Sequence, residues 1–108
     1  MDIEIAANRL AELGNVTRLQ IIRLLVQADR EGLAIGEIQS RLGVPASTLA
    51  FHLRGLHDVG LIEQTRDGRM VRCRPNVTAL NETLAFVKES CCTSFNSDYR
   101  GRRKGTAS

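Results

Sequence analysis

Three cysteines and one polar helix face carry most of this chain's capacity for chemistry. Cys91 and Cys92 are adjacent, and Cys73 stands on a separate stretch before them. Thiolates with nothing harder around them favour a soft ion. Zinc normally takes a fourth ligand, and the only histidines, His52 and His57, fall on another segment. Trivalent arsenic or antimony is satisfied by three sulfurs in a pyramid, and a methylated arsenical needs two. Cys73, Cys91 and Cys92 are therefore the candidate metal-binding residues, with As(III) as effector, Sb(III) as its analogue and no organic cofactor. The thiols have two other readings. One is oxidation or polysulfide bridging, since a vicinal disulfide is strained and easily reduced. The other is plain packing, which suits Cys73 alone because cysteine is a common small buried residue.

The polar face belongs to the stretch Ile35–Val59, which reads as two short helices joined by a tight turn. The first runs to about Leu42, with Ile38 and Leu42 at helical spacing. Gly43 suits a helix end, Val44 is pushed to extended backbone by the proline after it, and Pro45 fits the start of the next helix. On that second helix Leu49, Leu53 and Leu56 form an apolar stripe. Ser47, Thr48, Phe51, His52 and Arg54 occupy the other face. Leucines on one side, with hydroxyls, a ring and a guanidinium on the other, suit a DNA major groove. Phe51 has two readings, as a residue packing on a thymine methyl or as a core aromatic.

A strand-like pair follows. Leu61–Arg66 and Met70–Arg74 are linked by Asp67-Gly68-Arg69, and Asp-Gly favours a primed hairpin turn. Arg66, Arg69, Arg72 and Arg74 crowd this hairpin. A helix-turn-helix followed by an arginine-bearing hairpin is a winged helix. Its second helix enters the major groove, and arginines such as Arg66 and Arg69 pair with backbone phosphates, adding affinity but not sequence choice. The fold expected is mainly α with a small β-hairpin wing.

Other elements must hold this reader in place. Ile3, Ala6, Leu10 and Leu13 predict an amphipathic helix over 2–13, broken by Gly14. Asn15 caps a second helix, Val16 to about Ala28, whose apolar face is Leu19, Ile22, Leu25 and Val26. After Pro75, Asn76 or Thr78 caps a last helix running to about Cys91, with Val77, Leu80, Leu84, Val87 and Cys91 on one stripe. The first and last stripes lie outside the helix-turn-helix core. Pairing them across a two-fold axis buries both, and sets two reading helices about 34–36 Å apart, as an imperfect palindromic operator requires.

The chain has 108 residues, one small domain for which a dimer is a natural supplement. Residues 1–92 form the expected DNA-binding and dimerisation domain, and 93–108 a flexible basic tail. The formal charge is +3, and residues 98–108 supply all of it, with Arg100, Arg102, Arg103 and Lys104 against Asp98. The case for DNA thus rests on where arginines sit, not on their number. No apolar run is long enough for a membrane span, and the start lacks a secretory pattern, so a cytoplasmic location without a membrane partner is expected. No phosphate loop, paired carboxylates or nucleophile–base pair stands out, so an enzyme is not expected.

Taken together, LAELGNVTRLQIIRLL at 10–25, IGEIQSRLGVPASTLAFHLRGLHDVGLI at 35–62 and DGRMVRC at 67–73 resemble the ArsR/SmtB family of metal- and metalloid-responsive repressors. The resemblance covers roughly residues 5–92. It rests most on Thr17-Arg18-Leu19 together with Ser47-Thr48-Leu49 and His52-Leu53. It implies a homodimeric winged helix, dimerising through its first and last helices, that binds operator DNA without effector and releases it with effector. Many members carry Cys-x-Cys in the first helix of the helix-turn-helix, where this chain has Ala34-Ile35-Gly36-Glu37-Ile38. Zinc and nickel sensors use Asp, His and Glu on the last helix, and Thr78–Cys92 contains no Asp or His. An arsenite-responsive subset has a vicinal cysteine pair at the end of that helix, as here. Two alternatives stand beside arsenic-released repression: a thiol-based redox or sulfur sensor of the same fold, and a winged-helix protein-interaction module.

Overall fold

The computed structural model describes residues 1–89. Five helices and three short strands follow in the order α1 (Ile3–Leu13), α2 (Val16–Gln27), β1 (Leu33–Ala34), α3 (Ile35–Leu42), α4 (Ala46–Asp58), β2 (Ile62–Asp67), β3 (Met70–Pro75) and α5 (Val77–Lys88). This is a winged helix-turn-helix. Its strands form one antiparallel sheet in the order β1-β3-β2.

Local chemistry sets most boundaries. The Asn15 side chain accepts from the Arg18 backbone N–H at 3.0 Å and starts α2. The Asn76 carboxamide oxygen accepts from the Ala79 N–H at 3.1 Å and starts α5. Gly43 ends α3 at φ 68°, a left-handed conformation that glycine adopts freely. The wing turn sits one residue later than Asp-Gly implied. Asp67 pairs with Met70, leaving Gly68 and Arg69 as the two-residue loop, with Gly68 at φ 64°. Both primed hairpin turns require positive φ at that first loop position.

Ile21, Ile22, Leu25, Ile38, Leu49, Leu53, Leu56, Leu61, Ile62 and Cys73 make one buried cluster. It packs α2, α3 and α4 against the sheet. On α2 the buried set is Ile21, Ile22 and Leu25, whereas Leu19 and Val26, expected on the core face, are exposed. The α2 core stripe is thus turned toward Ile21. On α5 the residues facing inward are Ala79 and Thr83. The predicted stripe there is outward, with Val77, Leu84 and Val87 exposed and Leu80 half-buried. On α1 only Ala6 is buried, and Ile3, Ile5 and Leu10 are exposed. Helices α1 and α5 pack on one another, and each leaves apolar side chains uncovered.

Strand β1 had no counterpart in the sequence reading. Two residues carry too little pattern to be seen, and Leu33-Ala34 exists because β3 offers it a free edge, pairing Leu33 with Cys73 and Ala34 with Arg72. The last helix is shorter than expected. It ends at Lys88, and Glu89 leaves helical geometry with ψ 134°. Residues 90–108, including Cys91, Cys92 and the predicted basic tail, lie outside the described part. No helix among the described residues is long and apolar enough to cross a membrane.

Candidate nucleic-acid interface

Helix α4 separates its faces cleanly. Leu49, Leu53 and Leu56 are at most 2% exposed. At 100° per residue, Ser47, Phe51 and Arg54 fall within about 60° of one another on the opposite side. All three are exposed, and Thr48 is exposed on the flank of that ridge. Phe51 is 65% exposed, which rules out the core-aromatic reading.

His52 does not belong to this ridge, and its assignment as a DNA contact is corrected. It is 9% exposed, and its Nδ1 lies 3.3 Å from Arg18 Nη1. A guanidinium only donates, so in this contact Nδ1 is the acceptor. Its rotation about the helix axis puts His52 on the flank turned to α2, a distinction of one residue that a list of polar positions does not reveal.

Arg18 also donates from Nε to the Glu12 carbonyl at 2.7 Å. That nitrogen has one hydrogen. The Glu12 carboxylate oxygen Oε1, 3.3 Å from it, is therefore held by charge and not by a hydrogen bond, and it is buried without a hydrogen-bonding partner. The same oxygen fills the space over Gly55 on α4, where any Cβ would collide with it. Glu12, Arg18 and His52 thus link the end of α1 and the start of α2 to the middle of α4.

Arg9 makes the second link. From α1 it donates Nε–H to the Val59 carbonyl at the end of α4, at 2.9 Å. Its Nη1 reaches the Ala79 carbonyl at 3.5 Å and Thr83 Oγ1 at 3.3 Å, both on α5. One side chain therefore ties α1, α4 and α5 together. Arg9 and Glu12 were not picked out in the sequence, and Arg18 entered only as part of the Thr17-Arg18-Leu19 motif, without its partners. Both arginines lie on helices whose apolar spacing draws the eye, and an isolated arginine there reads as solvated.

On the wing, Arg66 and Arg69 are exposed. Register puts Arg66 opposite Val71 and Arg72 opposite Thr65, so the two arginines point to opposite faces. Arg72 and Arg74 are half-buried. Arg72 lies 3.7 Å from Asp67, and Arg74 donates to Thr65 Oγ1 at 3.3 Å. A ridge on α4 beside an exposed arginine pair at the wing has the form of a duplex-binding surface.

Residues 13–65 match the model of a helix-turn-helix domain family. The nodulation protein NolR of Rhizobium meliloti is 34% identical over 88 residues, covering 82% of this chain and 70% of the relative. An ArsR-like transcriptional regulator from a Rhodococcus species is 26% identical, with a TM-score of 0.75 over 94% of this chain and 92% of the other. The chain belongs to the ArsR family of winged-helix transcriptional regulators. Another solved relative, from Mycobacterium bovis, is described as a homodimeric winged helix-turn-helix DNA-binding domain. It is 26% identical, with a TM-score of 0.65 over 83% of each chain.

In this ArsR-family regulator Cys73 is fully buried in the core cluster. Burial pushes its thiol pKa up, opposed in part by the hydrogen bond from Gln64 Nε2 at 3.5 Å. Both its burial and this shift favour the protonated thiol over the thiolate. Among the described residues Cys73 meets Leu33 across the sheet and Gln64, and no second thiol or imidazole. Among the described residues no three His, Cys, Asp or Glu side chains converge.

Proposed function

We propose that this regulator is a homodimeric repressor that grips operator DNA with two copies of α4 and two wings. Trivalent arsenic bound by the Cys91 and Cys92 thiolates releases it. The observation that carries the DNA reading is the outward ridge of Ser47, Phe51 and Arg54 on a helix whose other face is locked into the core. Thr48 lies on the ridge's flank, and Arg66 and Arg69 supply phosphate contacts. The homodimer is supported by the uncovered apolar surface of α1 and α5 and by the homodimeric relative. Pairing through these helices gives two readers for an imperfect palindrome. Such a protein works in the cytoplasm, where thiols stay reduced.

Burial of Cys73 supports a site built from the other two thiols. With Cys73 withdrawn into the core, each subunit offers an adjacent pair of thiols. Two sulfurs satisfy a methylated arsenical, and arsenite or antimonite takes its third bond from water or from the partner subunit. Cys91 and Cys92 follow α5, which also forms the proposed interface, so filling them biases how the two heads are set. A coupling of about 1–3 kcal/mol is typical of such systems.

The same observation favours one competing trigger, since two neighbouring thiols also suit disulfide or polysulfide bridging. A gel-shift titration on operator DNA separates the two. Release by arsenite or methylarsenite, lost in the Cys91→Ser, Cys92→Ser double variant, supports arsenic sensing. Release by polysulfide or peroxide but not by arsenite supports the redox trigger. A double variant that still releases DNA at the wild-type arsenite concentration contradicts the assignment of Cys91 and Cys92.

A further inference from the structure

We propose that Phe51 reads thymine in the bound duplex through its C5-methyl group, and that Glu12, Arg18 and His52 beneath the helix fix its aim. This rests on the DNA-binding reading above and adds the base chemistry which that reading leaves open.

Phe51 stands on the α4 ridge and is 65% exposed, between Ser47 one turn before it and Arg54 one turn after. Hydroxyls and a guanidinium can be satisfied by water, but a phenyl ring gains nothing from it. The ring has no donor or acceptor, so it cannot read the hydrogen-bonding edge of any base. Among groups displayed in the major groove, the thymine methyl is the one that offers apolar contact. An aromatic at this place therefore selects for thymine, where a serine or arginine would select by hydrogen bonds.

The ring is supported from below. The His52 imidazole meets Phe51 edge-on, with centroids 5.4 Å apart and planes at 66°. Such an arrangement is favourable because the positive edge of one ring faces the negative face of the other. His52 is itself fixed, because its Nδ1 accepts from Arg18. Arg18 is held by the Glu12 carbonyl and carboxylate, and the carboxylate seats against Gly55, one turn along α4 from Phe51. These contacts set the rotation of α4 about its axis relative to α1 and α2. A rotation of one residue, 100°, would turn Phe51 off the ridge. His52 and Arg18 are accordingly positioning residues, and Phe51 is the specificity-determining one.

The test uses the full chain and a duplex that it enriches from a random-sequence library. Each thymine is then replaced by deoxyuridine, which pairs identically but lacks the methyl group. Wild-type affinity is expected to fall about four-fold per methyl read, the effect of one buried methylene-sized group, or about fifteen-fold for both half-sites. Phe51→Ala should bind the thymine and deoxyuridine duplexes equally. His52→Asn retains an acceptor for Arg18 but loses the ring, so the ratio should move toward one while the salt dependence stays at the wild-type slope. A wild-type ratio of one overturns the inference, as does Phe51→Ala with the wild-type ratio. His52→Asn with the full ratio overturns the positioning part. If no duplex is enriched at all, the DNA-binding reading falls and the inference falls with it.

Discussion

Replacing Arg9 by methionine tests whether one side chain holds the reader to the helices of the apolar surface. Methionine keeps most of the stem's packing and removes the donors. The hydrogen bond from Nε to the Val59 carbonyl is short, at 2.9 Å. A bond of this charged kind contributes about 1.5–3 kcal/mol. The two Nη1 contacts, at 3.3 and 3.5 Å, lie at the outer edge of bonding distance. Together they amount to about one ordinary bond, ~1 kcal/mol. Arg9 is half-buried, so water reaches part of the site and the expected loss settles near 2–3 kcal/mol. For a domain of this size that lowers the melting temperature by about 8–20 °C. The assay is thermal unfolding by circular dichroism at one fixed protein concentration, because dimerisation makes the midpoint concentration-dependent. Arg9→Lys retains charge but cannot reach both α4 and α5, and should fall between the two. A loss under about 0.5 kcal/mol for Arg9→Met, or wild-type behaviour in Arg9→Lys, would refute the tether.

Other perturbations reach the wing and the core. In a dimer, Arg66→Ala or Arg69→Ala removes two phosphate contacts, so the slope of log affinity against log salt should flatten by about 2. Sequence preference should be unchanged, and an unaltered slope would show that these arginines do not touch the backbone. Cys73 gives a pH signature. Its folded pKa lies above its unfolded one, so its contribution is complete below the ordinary thiol range, about 8.5, and is lost as pH rises through the folded value. The melting temperature should therefore fall more steeply above about pH 8.5 in the wild type than in Cys73→Ala. Equal slopes would mean that the thiol titrates as it does in the unfolded chain. Native protein should also leave Cys73 unmodified by iodoacetamide, whereas rapid alkylation would contradict its burial.

Much of the fold was legible because its signals are local. Asn15, Gly43, Asn76 and the Gly68 turn mark boundaries through their own backbone chemistry, and the Leu49–Leu53–Leu56 stripe fixes which side of α4 is buried. Strand β1 was invisible because its cause is an edge offered by β3, more than thirty residues away in the chain. The α2 core was misassigned because its sequence is apolar on more than one side. Leu19, Ile21, Ile22, Leu25 and Val26 admit several stripes, and packing against α3 and the sheet chooses among them. The exposed ridge of α4 was legible except for His52. Composition places a polar residue on α4, but only the position of Arg18 on α2 shows that the imidazole turns inward. Arg9 and Glu12 act through partners on other helices, so no spacing rule within α1 could reveal them.

In the proposed complex, two α4 ridges, held by paired α1 and α5 helices, lie in successive major grooves of one face of a duplex. Dimethyl sulfate and hydroxyl-radical footprinting on the enriched duplex tests this arrangement most directly. Two protected major-groove patches are expected, centred about 34–36 Å apart, one helical turn, with backbone protection at their outer flanks from the wings. A single patch, or protection confined to the minor groove, would contradict the arrangement.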